Sequence, residues 1–316
     1  MFARLFNNIG PRSLVNAIII AALLVFTYWF KPLASVDMSF SLWGEATISG
    51  RVFFIILTVS VFLLAFLFNE WQNGSHFFEP NYYYFLGIIT ASLVVFYLWQ
   101  GGNALISWPL LMLLIWRSFP VINPQTDFAR LNFGLGLGIG ILGMFFPNAV
   151  FLLALPLLLG LFYSGLSLRS FMALLLGLGA VLYFTLSIDY FFDSSLVDLF
   201  FGQWADGVLY WIDLKEEMLW TCVPLSLHAA ILVLISYGSS ARYNQEQKRL
   251  IGFWLIVFLV AVLGFLGLAE KLMWLSLAIF PYAFFFSRAI QSVQNRWAKD
   301  GLILTPIIIY LIGVFL

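Results

Sequence analysis

The sequence predicts an all-α integral membrane protein, and two observations predict this fold class. Hydrophobic residues make up 63% of the 316 residues, charged residues make up only 9%, and the mean hydropathy is +0.99. In addition, apolar runs of nearly bilayer length recur along the whole chain, with polar or basic residues between them. A run of about 20 apolar residues crosses a bilayer as a helix, because only a helix satisfies its own backbone in lipid.

About eleven such runs predict eleven transmembrane helices. The fourth is the weakest, because Trp108-Pro109 interrupts its start and Arg117 limits its length, so a re-entrant segment is the alternative. The connectors are too short for a soluble domain, and residues 1–316 are expected to form one polytopic domain. The predicted spans are residues 13–30, 51–69, 82–99, 104–120, 131–146, 148–163, 171–188, 218–237, 251–268, 272–287 and 301–316.

The distribution of basic residues predicts the orientation of these spans. With the N-terminus in the cytoplasm and the C-terminus outside, eleven Lys and Arg residues fall in cytoplasmic segments and four fall outside. This split agrees with the positive-inside rule. A re-entrant fourth run would reverse every later segment, so we prefer a short span whose Arg117 reaches the cytoplasmic surface.

The outer connector of residues 189–217 is expected to have structure of its own. It carries seven acidic residues and one lysine, for a net charge of −6. Ser195 and Asp198 have the spacing of a capping box, and Leu196, Phe200 and Trp204 fall on one helical face. This pattern predicts a short helix near 195–206 in the outer interface.

The composition excludes several classes of protein. A net charge of zero argues against binding of nucleic acid, which requires a basic face. A single cysteine, Cys222, and only two histidines exclude a disulfide framework and a polyhistidine metal centre within the chain. No metal and no cofactor is therefore expected.

A glycine run in the fifth span matches a nucleotide-binding fingerprint in letters only. Residues 138–143 read GIGILG, but the fingerprint requires a preceding strand and this run lies within an apolar span. The spacing of Gly134, Gly136, Gly138 and Gly140 instead favours close helix packing.

His228, in the middle of the eighth span, is the most notable polar residue of the apolar runs. Ionisable groups inside a membrane often mark a proton or ion path. No other span core offers a carboxylate, lysine or arginine, so a neutral imidazole bonded to a neighbouring helix is the preferred interpretation.

Two groups of polar residues are candidate sites. On the outer side, a carboxylate could act as general base and an arginine could hold a phosphate; the alternative is a solvated acidic surface. The catalytic candidates there are Arg51, Asp37, Glu45, Asp193 and Asp198. On the cytoplasmic side, the candidates for binding a lipid headgroup or a partner are Arg117, Arg130, Arg169 and Asn132, with snorkelling and helix capping as the alternative.

Several motifs resemble an uncharacterised bacterial family of multipass membrane proteins, a domain of unknown function. They are Trp116-Arg117-Ser118-Phe119, Asn123-Pro124, Asn132-Phe133-Gly134, Phe145-Phe146-Pro147 and Leu168-Arg169-Ser170. The resemblance extends to about residue 190 and implies a location in the bacterial inner membrane. It implies no reaction.

Three functions stay open at this point. The first is an envelope enzyme that acts on a lipid-linked, glycan-type substrate, the second is a non-enzymatic scaffold or subunit of a membrane complex, and the third is a transporter. The expected partners are membrane lipids, with a lipid-linked substrate or a membrane protein in addition.

Overall fold

In the computed structural model of the chain, the regular secondary structure of the described residues is helical apart from one short hairpin. Strand β1, Met38–Phe40, pairs with the antiparallel strand β2, Ala46–Ile48, so that Phe40 lies opposite Ala46. The hydropathy pattern does not predict this hairpin. The described residues are 13–16, 18–20, 22–23, 38–40, 46–48, 50–74, 77–98, 104–123, 126–163, 165–192, 216–239, 243–268 and 271–315.

The predicted apolar runs from residue 51 onward coincide with helices, and the described residues among 13–23 are helical too. A 3-10 helix, Phe119–Ile122, continues α3, and a second one, Pro147–Leu153, leads into α5. The helices are α1 Gly50–Gly74, α2 Tyr83–Leu98, α3 Ala104–Ser118, α4 Phe128–Phe145, α5 Ala154–Phe162, α6 Leu168–Phe192, α7 Glu216–Gly238, α8 Gln245–Gly267, α9 Lys271–Ser292 and α10 Arg296–Phe315.

Within the described residues, five helices are long and apolar enough to cross a membrane. Their apolar parts are Phe128–Phe145, Leu168–Phe191, Thr221–Gly238, Gln245–Gly267 and Met273–Ser292. This property indicates a membrane protein. The count of eleven spans and the orientation stay predictions, and the predicted interfacial helix near 195–206 lies outside the described residues.

Several helices continue beyond the apolar runs that predict them. Helix α1 reaches Gly74, five residues past the predicted end at 69, and α9 reaches Ser292, past the predicted end at 287. Helical hydrogen bonds run along the backbone, so a helix can continue through polar residues after its apolar run ends. These extensions carry Asn73 and Arg288, two members of the polar cluster described below.

The helices group into two compact units. The first unit comprises residues 1–105, 214–251 and 278–316. In it, α1 packs on α2, α2 packs on α10, and α10 packs on α7. Gly87 of α2 allows a close approach to α9, since a Cβ at this position would lie 3.1 Å from the Cα of Ala283.

The second unit comprises residues 106–213 and 252–277, and its most extensive contact joins α4 to α6. A Cβ at Gly136 would run into the backbone oxygen of Leu174 on α6, and a Cβ at Gly177 would run into that of Phe133 on α4. The glycine run therefore packs closely, as predicted. It does so on two faces, because Gly134 and Gly138 are turned to α3 instead.

Candidate functional site

The structure leaves the predicted outer site largely undescribed. Asp37, Glu45, Asp193 and Asp198 lie outside the described residues, and Arg51 is the second residue of α1. The proposed catalytic role of these residues stays a prediction.

The predicted cytoplasmic candidates are brought together at one end of the second unit. Arg117 lies in the last turn of α3, is exposed, and donates from Nη2 to the backbone carbonyl of Arg130, 3.2 Å away. One turn further along α4, a Cβ at Gly134 would lie 2.5 Å from Nε of Arg117. The absence of a side chain at Gly134 therefore makes room for the guanidinium against α4.

Asn132 is buried and joins α4 to the start of α6. Its Nδ2 donates to the backbone carbonyl of Ser170, 3.2 Å away. Ser170 and Ser167 exchange hydrogen bonds between their backbone N–H groups and their hydroxyls, as in a capping box. Asn132 is thus a positioning residue, and its contact places the backbone of Arg169, the neighbour of Ser170, beside the start of α4.

The three arginines of this group, Arg117, Arg130 and Arg169, are all exposed. Over the described part of the chain, none of them forms an ion pair with a carboxylate. The nearby Asp127 instead caps α4, where its Oδ1 accepts from the N–H of Ala129 at 3.0 Å. Guanidinium groups free of carboxylates can bind phosphate oxygens with two parallel hydrogen bonds. We call Arg117, Arg130 and Arg169 the arginine triad.

A second polar group, in the first unit, is one that the sequence does not predict as a site. Arg288 near the end of α9 has only 2% of its surface exposed. Its guanidinium carbon lies 3.9 Å from the ring centre of Phe78 and 5.3 Å from that of Tyr84. Its Nη2 donates to the hydroxyl of Ser287 at 3.3 Å.

Hydrogen bonds connect Arg288 to the ends of α1 and α2. The hydroxyl of Ser287 donates to Oδ1 of Asn81 at 3.0 Å, and the same oxygen accepts from the N–H of Tyr83 at 2.9 Å. Asn73 of α1 bonds the backbone of Asn81 twice, through Nδ2 at 3.0 Å and through Oδ1 at 3.1 Å. We call Arg288 and these partners the Arg288 cluster.

Part of this cluster has a signal in the sequence. Asn69, Gln72 and Asn73 are spaced three and four residues apart, so they share one helical face if α1 continues past its apolar run. Arg288 follows an apolar run and is itself followed by the apolar pair Ala289-Ile290. Neither pattern shows by itself that the guanidinium is buried.

His228 has the kind of partner that a structural role requires. Its Nδ1 lies 3.0 Å from the hydroxyl of Tyr282 on α9, and both side chains are buried. Its ring also meets that of Phe286 edge to face, with centres 6.3 Å apart. This environment of neutral groups supports the interpretation of His228 as a neutral, hydrogen-bonded imidazole.

Comparison with known proteins does not assign the site. No family model matches the chain, and no curated protein and no solved structure matches it significantly. The fold and the two polar groups define a helical membrane protein with cationic side chains held at the ends of its helices.

Proposed function

We propose that this chain is a multipass protein of the bacterial inner membrane that binds an anionic, lipid-linked substrate of the glycan-carrier type. The observation that supports the proposal is the fixed position of Arg117, whose guanidinium lies over Gly134 and is bonded to the carbonyl of Arg130. An arginine that only extends to the membrane surface would not require the space over Gly134 or the hydrogen bond to the carbonyl of Arg130.

The chemistry of the arginine triad favours a phosphate ligand. A carboxylate partner within the protein would neutralise a guanidinium, and the described residues supply none for these three. A guanidinium matches two oxygens of a phosphate, and basic residues near the membrane surface attract anionic headgroups by about 1 kcal/mol each. In the predicted topology, all three arginines lie at the cytoplasmic headgroup level.

An enzymatic step on the bound lipid is a further part of the proposal. It assigns the reaction to the outer candidates, with Arg51 as a phosphate ligand and Asp37, Glu45, Asp193 or Asp198 as the general base. A step there would require the substrate to be exposed on both sides of the membrane. An inner-membrane glycan carrier that crosses the bilayer meets this condition.

A scaffold or complex subunit is the second candidate, and one observation favours it. The last turns of α6 carry aromatic side chains that are largely exposed, with Tyr190 at 85% and Phe191 at 76%. A neighbouring protein helix could cover this face as well as lipid can.

The binding proposal is tested by native mass spectrometry of the full chain in nanodiscs. We expect phosphatidylglycerol to be retained in preference to phosphatidylcholine. Arg117→Gln should weaken this retention about fivefold, which corresponds to roughly 1 kcal/mol. Arg296→Gln is the matched control, because Arg296 is exposed at the start of α10 but lies outside the triad. Equal losses in both variants would contradict the proposal.

A further inference from the structure

Two buried hydrogen-bond donors, one in the Arg288 cluster and one beside it on α1, are left unused. Nε of Arg288 and Nδ2 of Asn69 are buried and have no hydrogen-bond partner in the described part of the chain. Two acceptors of this region are used already: Oδ1 of Asn81 takes two hydrogen bonds, and the carbonyl of Glu79 takes two, from Asn81 and Gln291. A cluster with spare donors is suited to a ligand made of acceptors.

Asn69 belongs to the same region as Arg288. It lies one helical turn from Asn73, on the face of α1 that meets Asn81. Its Oδ1 accepts from the N–H of Phe85 at 3.4 Å, and Phe85 is the neighbour of Tyr84, whose ring lies beside the guanidinium. Asn69 itself has no exposed surface.

The charge of Arg288 also lacks a close counterpart. In the described residues its guanidinium donates to the hydroxyl of Ser287 and is near Tyr84 and Tyr243, none of which is a carboxylate. Glu79 acts on it electrostatically, but its side chain is exposed. Contact with aromatic rings offsets only part of the cost of burying a guanidinium, so a bound anion would stabilise this arrangement.

The connector that carries Phe78 is held in place from two helices. Nε2 of Gln247 on α8 donates to the carbonyl of Phe77, and Nε2 of Gln291 on α9 donates to the carbonyl of Glu79 at 3.0 Å. Phe78 in turn packs edge to face on Tyr243, with ring centres 5.3 Å apart. The guanidinium is therefore preorganised, which reduces the entropy lost when a ligand binds.

We propose that the Arg288 cluster, together with Asn69, is a binding site for a phosphate-class oxyanion, with Arg288 as the cation and Asn69 as a second donor. This site lies in the first unit and is separate from the arginine triad. The ligand is either the phosphodiester of a lipid headgroup or a free phosphate, since the two present the same oxygens.

Two arms of one experiment distinguish these sources in the full-length protein. In the first, inorganic phosphate is titrated into detergent-solubilised protein and Tm is followed against a chloride control of equal ionic strength. In the second, Tm is compared in nanodiscs of phosphatidylglycerol and of phosphatidylcholine. We expect one arm to raise Tm in a saturable way. A rise in Tm with phosphate indicates that the ligand is a free anion, and a rise in phosphatidylglycerol nanodiscs indicates that it is a lipid headgroup.

Arg288→Met tests whether this residue is responsible. Methionine replaces a buried charge by an apolar side chain of similar length, a change that buried sites often tolerate. For Arg288→Met, we expect the phosphate concentration that gives half of the Tm shift to rise about tenfold or more. In the nanodisc arm, the fraction of phosphatidylglycerol that gives half of the shift should rise by a similar factor. Arg296→Met is the control, because Arg296 is exposed, and it should leave the response unchanged.

Two results would overturn the proposal. One is a wild-type Tm that responds in neither arm, and the other is an Arg288→Met variant that responds like the wild type. If Arg288→Met does not fold, Arg288→Lys takes its place, because lysine keeps the charge but lacks the Nε donor. A lysine variant with full wild-type affinity would then contradict the assignment, and a weakened one supports it.

Discussion

Gly134 determines where the guanidinium of Arg117 can lie. Arginine has a long, flexible side chain, and at a membrane surface it usually samples many positions in the headgroup layer. Here the missing side chain at Gly134 and the carbonyl of Arg130 define one position against α4. A fixed guanidinium loses less entropy when it binds a phosphate, so the glycine contributes to affinity without touching the ligand.

Replacement of Gly134 by alanine tests this coupling. The new Cβ would lie 2.5 Å from Nε of Arg117 and would displace the guanidinium. We expect about a fivefold loss of affinity for phosphatidylglycerol in nanodiscs, with no change in net charge, because roughly 1 kcal/mol of charge-assisted bonding is lost.

Gly179→Ala is the control for this substitution. Gly179 lies in α6, and a Cβ there would have no neighbour within 4 Å. Since alanine is the better helix former, this variant should bind lipid normally and gain about 0.5–1 kcal/mol of stability. Normal lipid binding by Gly134→Ala would show that the position of Arg117 does not depend on the glycine.

At the scale of helices, α4 is packed closely on two sides. Residues two apart in a helix are about 200° apart around its axis, so Gly136 and Gly140 are turned to α6 while Gly134 and Gly138 are turned to α3. Contacts at Gly136 and Gly177 are with backbone atoms, which cannot move aside as a flexible side chain can. The closest approach is therefore between α4 and α6.

Gly136→Ala is expected to destabilise the protein by about 1–3 kcal/mol, the usual cost of overpacking. The reason is that its Cβ would meet the carbonyl oxygen of Leu174 and force the two helices apart. The measurement is reversible unfolding in mixed detergent micelles, with Gly179→Ala as the reference. Equal stability of the two variants would exclude a tight α4–α6 contact at this position.

The sequence predicts the helices better than it predicts their ends. Apolar runs identify where helices occur, because an apolar side chain is stable both against lipid and against the apolar side chains of neighbouring helices. The ends of α1 and α9 extend through Gln72, Asn73 and Gln291, where the hydropathy signal has already stopped. The hairpin of β1 and β2 has strands of three residues each, which are too short for a periodic pattern.

The two polar sites also differ in how far the sequence predicts them. Arg117, Arg130 and Arg169 could be predicted as candidates because each lies at or near the end of a predicted apolar run. Arg288 occupies a similar place in the sequence, but its burial arises from Phe78 and Tyr84, which only tertiary packing brings to it. The burial of a charge depends on contacts between distant segments, and a hydropathy pattern contains no such information.

For the whole molecule, the proposed sites depend on the predicted topology. We expect reporter fusions truncated after Arg249 and after Leu316 to report opposite sides of the membrane, the first cytoplasmic and the second external. The reason is the excess of basic residues in the segments assigned to the cytoplasm, eleven against four. Fusions on the same side would require a different number of spans between these positions.

The most direct test of the central proposal identifies the molecule that lies beside the arginine triad in living cells. Leu113 is 53% exposed and lies one helical turn before Arg117, which is the membrane side of the guanidinium in the predicted topology. A photo-crosslinking amino acid at this position should capture a phosphate-bearing lipid, identified by the mass of the adduct, and Arg117→Gln should reduce the yield severalfold. A protein adduct, or a lipid adduct that does not depend on Arg117, would contradict the account.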